Sequence, residues 1–212
     1  MSTNGTKGDM RLMDRILFVC TGNTCRSPMA EAILRERARA RGMQVEVRSA
    51  GVSTVDGLPI SAHAVETLRS RQVPHSGSSN AVTPESVAWA DLILAMTTGH
   101  KRNLIERFPQ ALDKTYTFKE FVENRSEVLS DIEELERLYS EWQLSQALGT
   151  PLAGEDRKRL LELEQRIPSF DIADPFGGSL ERYRQVADEI GEAVDRLLDK
   201  LASDREKGAK ND

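Results

Sequence analysis

The chain has 212 residues, 39% of them apolar and 30% charged, with a formal net charge of −5 and a pI of about 5.4, which is enough for one good-sized domain with a real core. The acidic balance argues against a general nucleic-acid binder, which needs a basic face to displace counterions, but it leaves room for a local positive pocket. No apolar run approaches the ~20 residues that span a bilayer, and the polar start, Met1–Arg15, has no apolar signal core, so a cytoplasmic protein without membrane contact is expected.

Met1–Asp14 is rich in Ser, Thr, Gly and Asn and is expected to be disordered. Arg15–Val19 is a short apolar run and predicts a strand. Ser27–Arg41 carries Ala, Leu, Ile and Met at helical spacing; Ser27-Pro28 suits a helix start and Gly42 a stop. Gln44–Ser49 alternates and predicts a second strand. Helices are expected over Ser61–Arg71 and Pro84–Ala90, a buried third strand over Asp91–Met96, a helix over Thr98–Phe108 and a weaker fourth strand over Lys114–Phe118. Ser179–Leu201 predicts a long amphipathic helix with Tyr183, Val186, Ile190, Val194, Leu197 and Leu201 among its apolar positions, followed by a polar, frayed tail.

Strands alternating with helices imply an α/β fold: a parallel sheet with helices on both faces, binding ligands beyond the carboxyl ends of its strands. Glu123–Phe170 breaks the alternation. Charged helical stretches at about 127–148 and 155–167 flank Gly149-Thr150-Pro151 and predict an inserted helical hairpin at about 124–170. Its charges read either as a solvated face or as a docking or dimer surface carrying Leu138, Tyr139, Trp142 and Leu144. The expected domain scheme is a disordered 1–14, one domain over 15–202 containing the insert, and a disordered tail at 203–212.

Cys20 and Cys25 are the two cysteines, too few for a disulfide framework, and His63, His75 and His100 have no metal-ligand spacing. The run from Phe18 to Pro28 (FVCTGNTCRSP) takes a strand into a tight loop and the loop into a helix. Such a loop points several backbone N–H groups into one space, and the helix dipole adds to them, making an anion site. Gly22 is expected to supply the unusual backbone angles, and Asn23 tolerates left-handed ones. Arg26 adds a planar double donor suited to two phosphate oxygens. The same positive environment favours a thiolate at Cys20, placed to attack phosphorus. A leaving group also needs a proton. Asp174-Pro175-Phe176-Gly177-Gly178, a stiffened turn before the last helix, is the best source, with Phe176 able to wall the pocket and Asp171 as a nearby competitor. A cysteine ending a core strand is by itself a small buried hydrophobe, and an Asp-Pro pair an ordinary turn; the agreement of strand, Gly-Asn loop and Ser-Pro helix start argues for chemistry.

These segments resemble the low-molecular-weight protein tyrosine phosphatase family over about residues 14–122 and 171–200, through VCTGNTCRSP (Val19–Pro28), Ser49-Ala50-Gly51 and DPFGGS (Asp174–Ser179). The resemblance implies a four-stranded, Rossmann-like parallel sheet, a phosphocysteine intermediate on Cys20, phosphate binding by Arg26, and Asp174 as general acid and then base. It implies a substrate site formed by Thr21, Gly22, Asn23, Thr24, Cys25, Ser27 and Phe176, with Asn23 and Ser27 supporting the thiolate. No metal or organic cofactor is implied, since thiolate, Arg26 and Asp174 complete the chemistry. Two departures stand out: Glu123–Phe170 replaces a short connection of bacterial members, and Phe176-Gly177 stand where eukaryotic members have a Tyr pair.

Within the family the likeness is greatest to bacterial protein-arginine phosphatases, on Thr24 and the DPFGG run. It implies arginine-phosphorylated proteins as substrates and an arginine kinase as functional counterpart. A hydroxyl at position 24 can accept an N–H of a phosphoarginine guanidinium, where an aliphatic side chain would leave that donor unpaired at a cost on the order of 1–3 kcal/mol. The other reading of Thr24 is a loop residue without a role in selectivity. Cys25 likewise reads as a buried loop residue or as a redox guard that pairs with Cys20 under oxidation. Three rival functions stand beside the first: a tyrosine phosphatase; a thiol-dependent arsenate reductase, which needs relay cysteines that this chain lacks after Cys25; and a non-catalytic phosphoprotein-binding module, which needs a missing catalytic residue.

Overall fold

The computed structural model describes residues 13–123, 129–149, 153–166 and 169–209. The chain divides into two compact units, one formed by Met1–Val122 with Asp171–Asp212 and the other by Glu123–Phe170. Of the N-terminal stretch expected to be disordered, 1–14, residues 1–12 lie outside the described residues, while Asp14 accepts the Glu46 N–H on its carbonyl at 2.7 Å.

The first unit is built on four parallel strands in the order β2-β1-β3-β4. These are β1 (Arg15–Cys20), β2 (Glu46–Gly51), β3 (Leu92–Ala95) and β4 (Thr115–Thr117). β1 is central and buried on both faces, which explains why it is a continuous apolar run rather than an alternating one. Its side chains still divide with period two: Ile16, Phe18 and Cys20 join one core cluster, Leu17 and Val19 the other. Each fully buried aliphatic or aromatic side chain here contributes about 1.5–3 kcal/mol.

Helices α1 (Arg26–Ala40), α2 (Ala62–Ser70), α3 (Pro84–Trp89), α4 (Thr98–Arg107), α5 (Phe118–Val122) and α8 (Leu180–Ala209) surround the sheet. α1 and α8 bury Met29, Ile33, Leu34, Val186, Ile190, Val194 and Leu197 in the Phe18 cluster, while Val87, Leu104 and Phe108 cover Leu17 and Val19. The register brings Cys20 opposite Gly51 and Val19 opposite both Ala50 and Ala95, so three strands end beside the loop that begins at Cys20.

Each expected strand and helix is present, with shifted ends. The fourth strand stops at Thr117 rather than Phe118, because the Thr117 hydroxyl accepts the Glu120 N–H at 3.3 Å and starts α5, an element the sequence reading missed. Phe118 then lays its ring edge on Phe18, with centroids 5.0 Å apart. The last helix passes its expected end at Leu201 and runs to Ala209, through residues 203–209 of the 203–212 tail expected to be disordered; residues 210–212 lie outside the described residues. Arg205 there bonds the Asp14 carboxylate at 2.6 Å and the Gln44 carbonyl at 2.7 Å, giving the extra turns something to hold.

The second unit holds α6 (Leu129–Leu148) and α7 (Gly154–Arg166) as a helical hairpin. Arg159 of α7 grips both oxygens of Glu134 on α6, at 3.0 and 2.6 Å. Of the residues offered for a docking face, Leu138 is buried, while Trp142 and Leu144 are exposed and the Tyr139 and Trp142 rings meet edge to face.

Candidate active site

The loop leaving β1 closes at once into α1, with Cys25 at the helix cap and Arg26 as its first residue. Asn23 makes the sharp step, at φ 52°, in a region that Asn and Asp enter more readily than most side chains. Gly22 was expected to carry the special angles. It has no positive φ, and a Cβ there would make ordinary contact with Thr24 Oγ1 at 3.5 Å. The glycine that the loop requires is Gly51: a Cβ on it would lie 2.7 Å from the Thr21 carbonyl oxygen and 3.0 Å from Asn23 N.

Asn23 also holds the loop by its side chain. Its amide donates to Ser27 Oγ (2.9 Å) and Ser49 Oγ (2.8 Å), and its Oδ1 accepts the Asn80 N–H (2.7 Å). Ser49 in turn donates to Glu31 at 2.5 Å. The Asn23 backbone N–H points at Cys20 Sγ from 3.3 Å, and Ser27 Oγ lies 3.0 Å from the same sulfur. Cys20 is thus buried at 2% exposure, yet it sits in a polar cradle instead of among apolar neighbours only.

Arg26 is 4% exposed. Its Nη1 donates to the Ile172 carbonyl at 3.3 Å and its Nη2 to Asp174 Oδ2 at 2.8 Å. Asp174 has a half-exposed side chain whose other oxygen accepts the Phe176 N–H at 3.1 Å, in a turn completed by Gly177 at φ 72°. Asp171 points elsewhere: its carboxylate accepts from Thr98 N (2.7 Å) and Thr98 Oγ1 (3.0 Å) at the start of α4. Of the two candidate acids, the fold brings Asp174 to Arg26.

A pocket of about 290 Å³ is lined by Cys20, Thr21, Gly22, Thr24, Cys25, Arg26, Asp174 and Phe176. Asn23 and Ser27 lie behind it as fully buried supports, and Phe176, 80% exposed, forms part of its rim. A wider groove continues past Thr24 to Leu58, Ser61, His63 and Tyr183. Cys25 does not stand free. Its Sγ is 3.2 Å from Tyr183 Oη, which also accepts from Ser61 Oγ at 3.0 Å. Burial, and after it the bond to Cys25, raise the Tyr183 hydroxyl above its ordinary pKa.

The sequence reading did not single out His100. Its Nε2 lies 2.8 Å from Thr21 Oγ1 and its Nδ1 2.9 Å from Thr97 Oγ1. Burial first, and the Arg26 charge second, lower its pKa to about 4, so the ring that steadies Thr21 is neutral. Its position just past the carboxyl end of β3 was the available signal. Among the described residues, no group of three or more His, Cys, Asp or Glu side chains is arranged to hold a metal ion.

The chain is similar to known proteins over most of its length. Residues 15–141 match the family model for low molecular weight phosphotyrosine protein phosphatase. A protein-arginine-phosphatase of Geobacillus stearothermophilus is 39% identical over 191 residues, covering 90% of this chain and 98% of the relative. The solved structure of YwlE arginine phosphatase from the same organism superposes with a TM-score of 0.66 at 38% identity, covering 91% of this chain and 96% of that one. A further YwlE structure, a mutant with a phosphorylated active-site serine, gives a TM-score of 0.67 at 34% identity, covering 91% and 98%. With the family model matched over residues 15–141 and a relative 39% identical across nine tenths of the chain, this chain belongs to the low molecular weight phosphotyrosine protein phosphatase family.

Proposed function

We propose that the chain is a cysteine-dependent protein phosphatase that hydrolyses phosphoarginine in proteins through a phosphocysteine on Cys20. The observation that carries this reading is the convergence of Cys20 Sγ, the Arg26 guanidinium and the Asp174 carboxyl on one pocket at the end of β1. In that pocket the phosphoryl oxygens meet the loop N–H groups and Arg26, while the Cys20 thiolate faces phosphorus. With no proton of its own, the thiolate accepts from Ser27 Oγ and Asn23 N.

In the first step the S–P bond forms as the P–N bond breaks, and protonated Asp174 gives its proton to the departing guanidine nitrogen. In the second, Asp174 takes a proton from water, the water oxygen bonds phosphorus, and the S–P bond breaks to return the thiolate and inorganic phosphate. Loss of the proton donor costs about 10²–10⁴-fold for a leaving group as basic as guanidine.

The substrate assignment is supported by the names of the relatives and by Thr24, which lines the pocket. Its substrates would be arginine-phosphorylated cytoplasmic proteins, with an arginine kinase as the opposing enzyme. Tyrosine phosphatase activity is the second reading, favoured by the exposed Phe176 ring at the rim, which offers a stacking face to a phenol. Turnover of phosphoarginine and phosphotyrosine peptides, compared in wild type, Thr24→Ile and Cys20→Ser, tests both. Preference for phosphoarginine, shifted toward phosphotyrosine by Thr24→Ile and abolished by Cys20→Ser, is expected. A wild type that prefers phosphotyrosine overturns the substrate assignment, and an active Cys20→Ser overturns the mechanism.

A further inference from the structure

The chain reaches Asp174 through three residues that are each tied to a different part of the fold. Asp171 is held by the start of α4. Ile172 donates its N–H to the Met96 carbonyl at 2.8 Å and accepts from Arg26 Nη1. Ala173 donates its N–H to Glu189 Oε2, on α8, at 3.3 Å. The other oxygen of Glu189 receives Lys119 Nζ, on α5, at 2.5 Å, and both side chains are about a quarter exposed, at 26% and 22%. Glu189 lines neither the catalytic pocket nor the groove beside it.

We propose that Glu189, oriented by Lys119, is a positioning residue that sets the reach of the Asp174 carboxyl over Cys20. Consecutive Cα atoms are about 3.8 Å apart across a trans peptide, so a displaced Ala173 carries Asp174 with it. A carboxylate accepting a backbone N–H makes a charge-assisted bond, stiffer than a neutral one. Asp174 itself is half exposed and, among the described residues, is held by Arg26 and its own turn. Lys119 precedes the Glu123–Phe170 unit and Ala173 follows it, so one glutamate gathers both flanks of that unit on α8.

The proposal rests on Asp174 being the proton donor, and its test separates the two. kcat/KM is measured on the full-length chain for phenyl phosphate, whose leaving group needs a proton, and p-nitrophenyl phosphate, whose leaving group scarcely does. Glu189→Leu is expected to cut the phenyl phosphate value by about 10- to 100-fold and the p-nitrophenyl phosphate value by less than about threefold. Glu189→Gln, which keeps an acceptor for the Ala173 N–H, restores most of the loss, and Lys119→Met falls between. Equal loss on both esters, or loss on neither, overturns the proposal. Should Glu189→Leu fail to fold, the same contrast in Lys119→Met decides. Asp174→Asn run alongside must show the selective loss more strongly; if it shows none, Asp174 is not the donor, and the proposal falls with it.

Discussion

At the scale of single residues, the loop owes its shape to a backbone approach and two side chains. Gly51 on β2 lets the Thr21–Asn23 backbone pass close to the strand. Gly51→Ala must push the loop outward, so kcat/KM should fall at least about tenfold, with weaker inorganic phosphate binding by calorimetry, because positioning errors near 1 Å cost up to ~10²-fold. His100 makes a second prediction. A histidine titrating near 6.5 when unfolded and near 4 when folded binds more protons in the unfolded state between those values. Stability therefore falls as pH drops from 6.5 toward 4, and this group contributes no slope above 6.5. Burial, and after it the Arg26 charge, hold the ring neutral while Asp171 and Asp174 oppose them. Urea midpoints across that window should fall less steeply in His100→Asn than in wild type. The two residues differ in how readable they were. Gly51 stood in a quoted motif whose physical reason needed the β2 register, whereas His100 meets Thr21 across 79 positions of chain, with no spacing signal.

At the scale of elements, the strand–loop–helix unit of β1 and α1 was legible because every determinant is local: an apolar run, Gly-Asn, then Ser-Pro. The α1–α8 contact was legible only as two amphipathic faces. The structure adds an ion-pair row along it, Arg37 and Arg41 to Asp195 and Arg41 to Asp199, all with side chains at least 36% exposed. Exposed pairs contribute little, so Asp195→Asn should change the unfolding free energy by less than about 1 kcal/mol and leave turnover intact. Val194→Ala, one position away and fully buried, is expected to cost on the order of 1–3 kcal/mol by the same chemical denaturation assay. α5 escaped the reading because five residues after a three-residue strand are too few to establish a period.

At the scale of the whole molecule, every side chain placed at the site belongs to the unit of Met1–Val122 and Asp171–Asp212. Replacing residues 124–169 with a short Gly-Ser linker should therefore leave p-nitrophenyl phosphate turnover within about threefold of wild type, since the positioning contacts stay in place. Loss of folding or of turnover would show that the hairpin supports the site. The parallel sheet follows from strands alternating with helices, which repeat along the chain. The tertiary bonds that orient the site do not repeat. Cys25 meets Tyr183 across 158 positions, and Arg26 meets Asp174 across 148.

The Arg26–Asp174 pair has one more consequence. A guanidinium nitrogen that already holds a carboxylate presents an incoming dianion with an internal rival, so phosphate binding is an exchange of one anion for another. Neutralising that rival should tighten capture while slowing release of the leaving group: in Asp174→Asn, the inhibition constant for inorganic phosphate falls even as kcat drops. Substrate would then linger on the protein, and the variant would retain phosphorylated proteins that the wild type lets go.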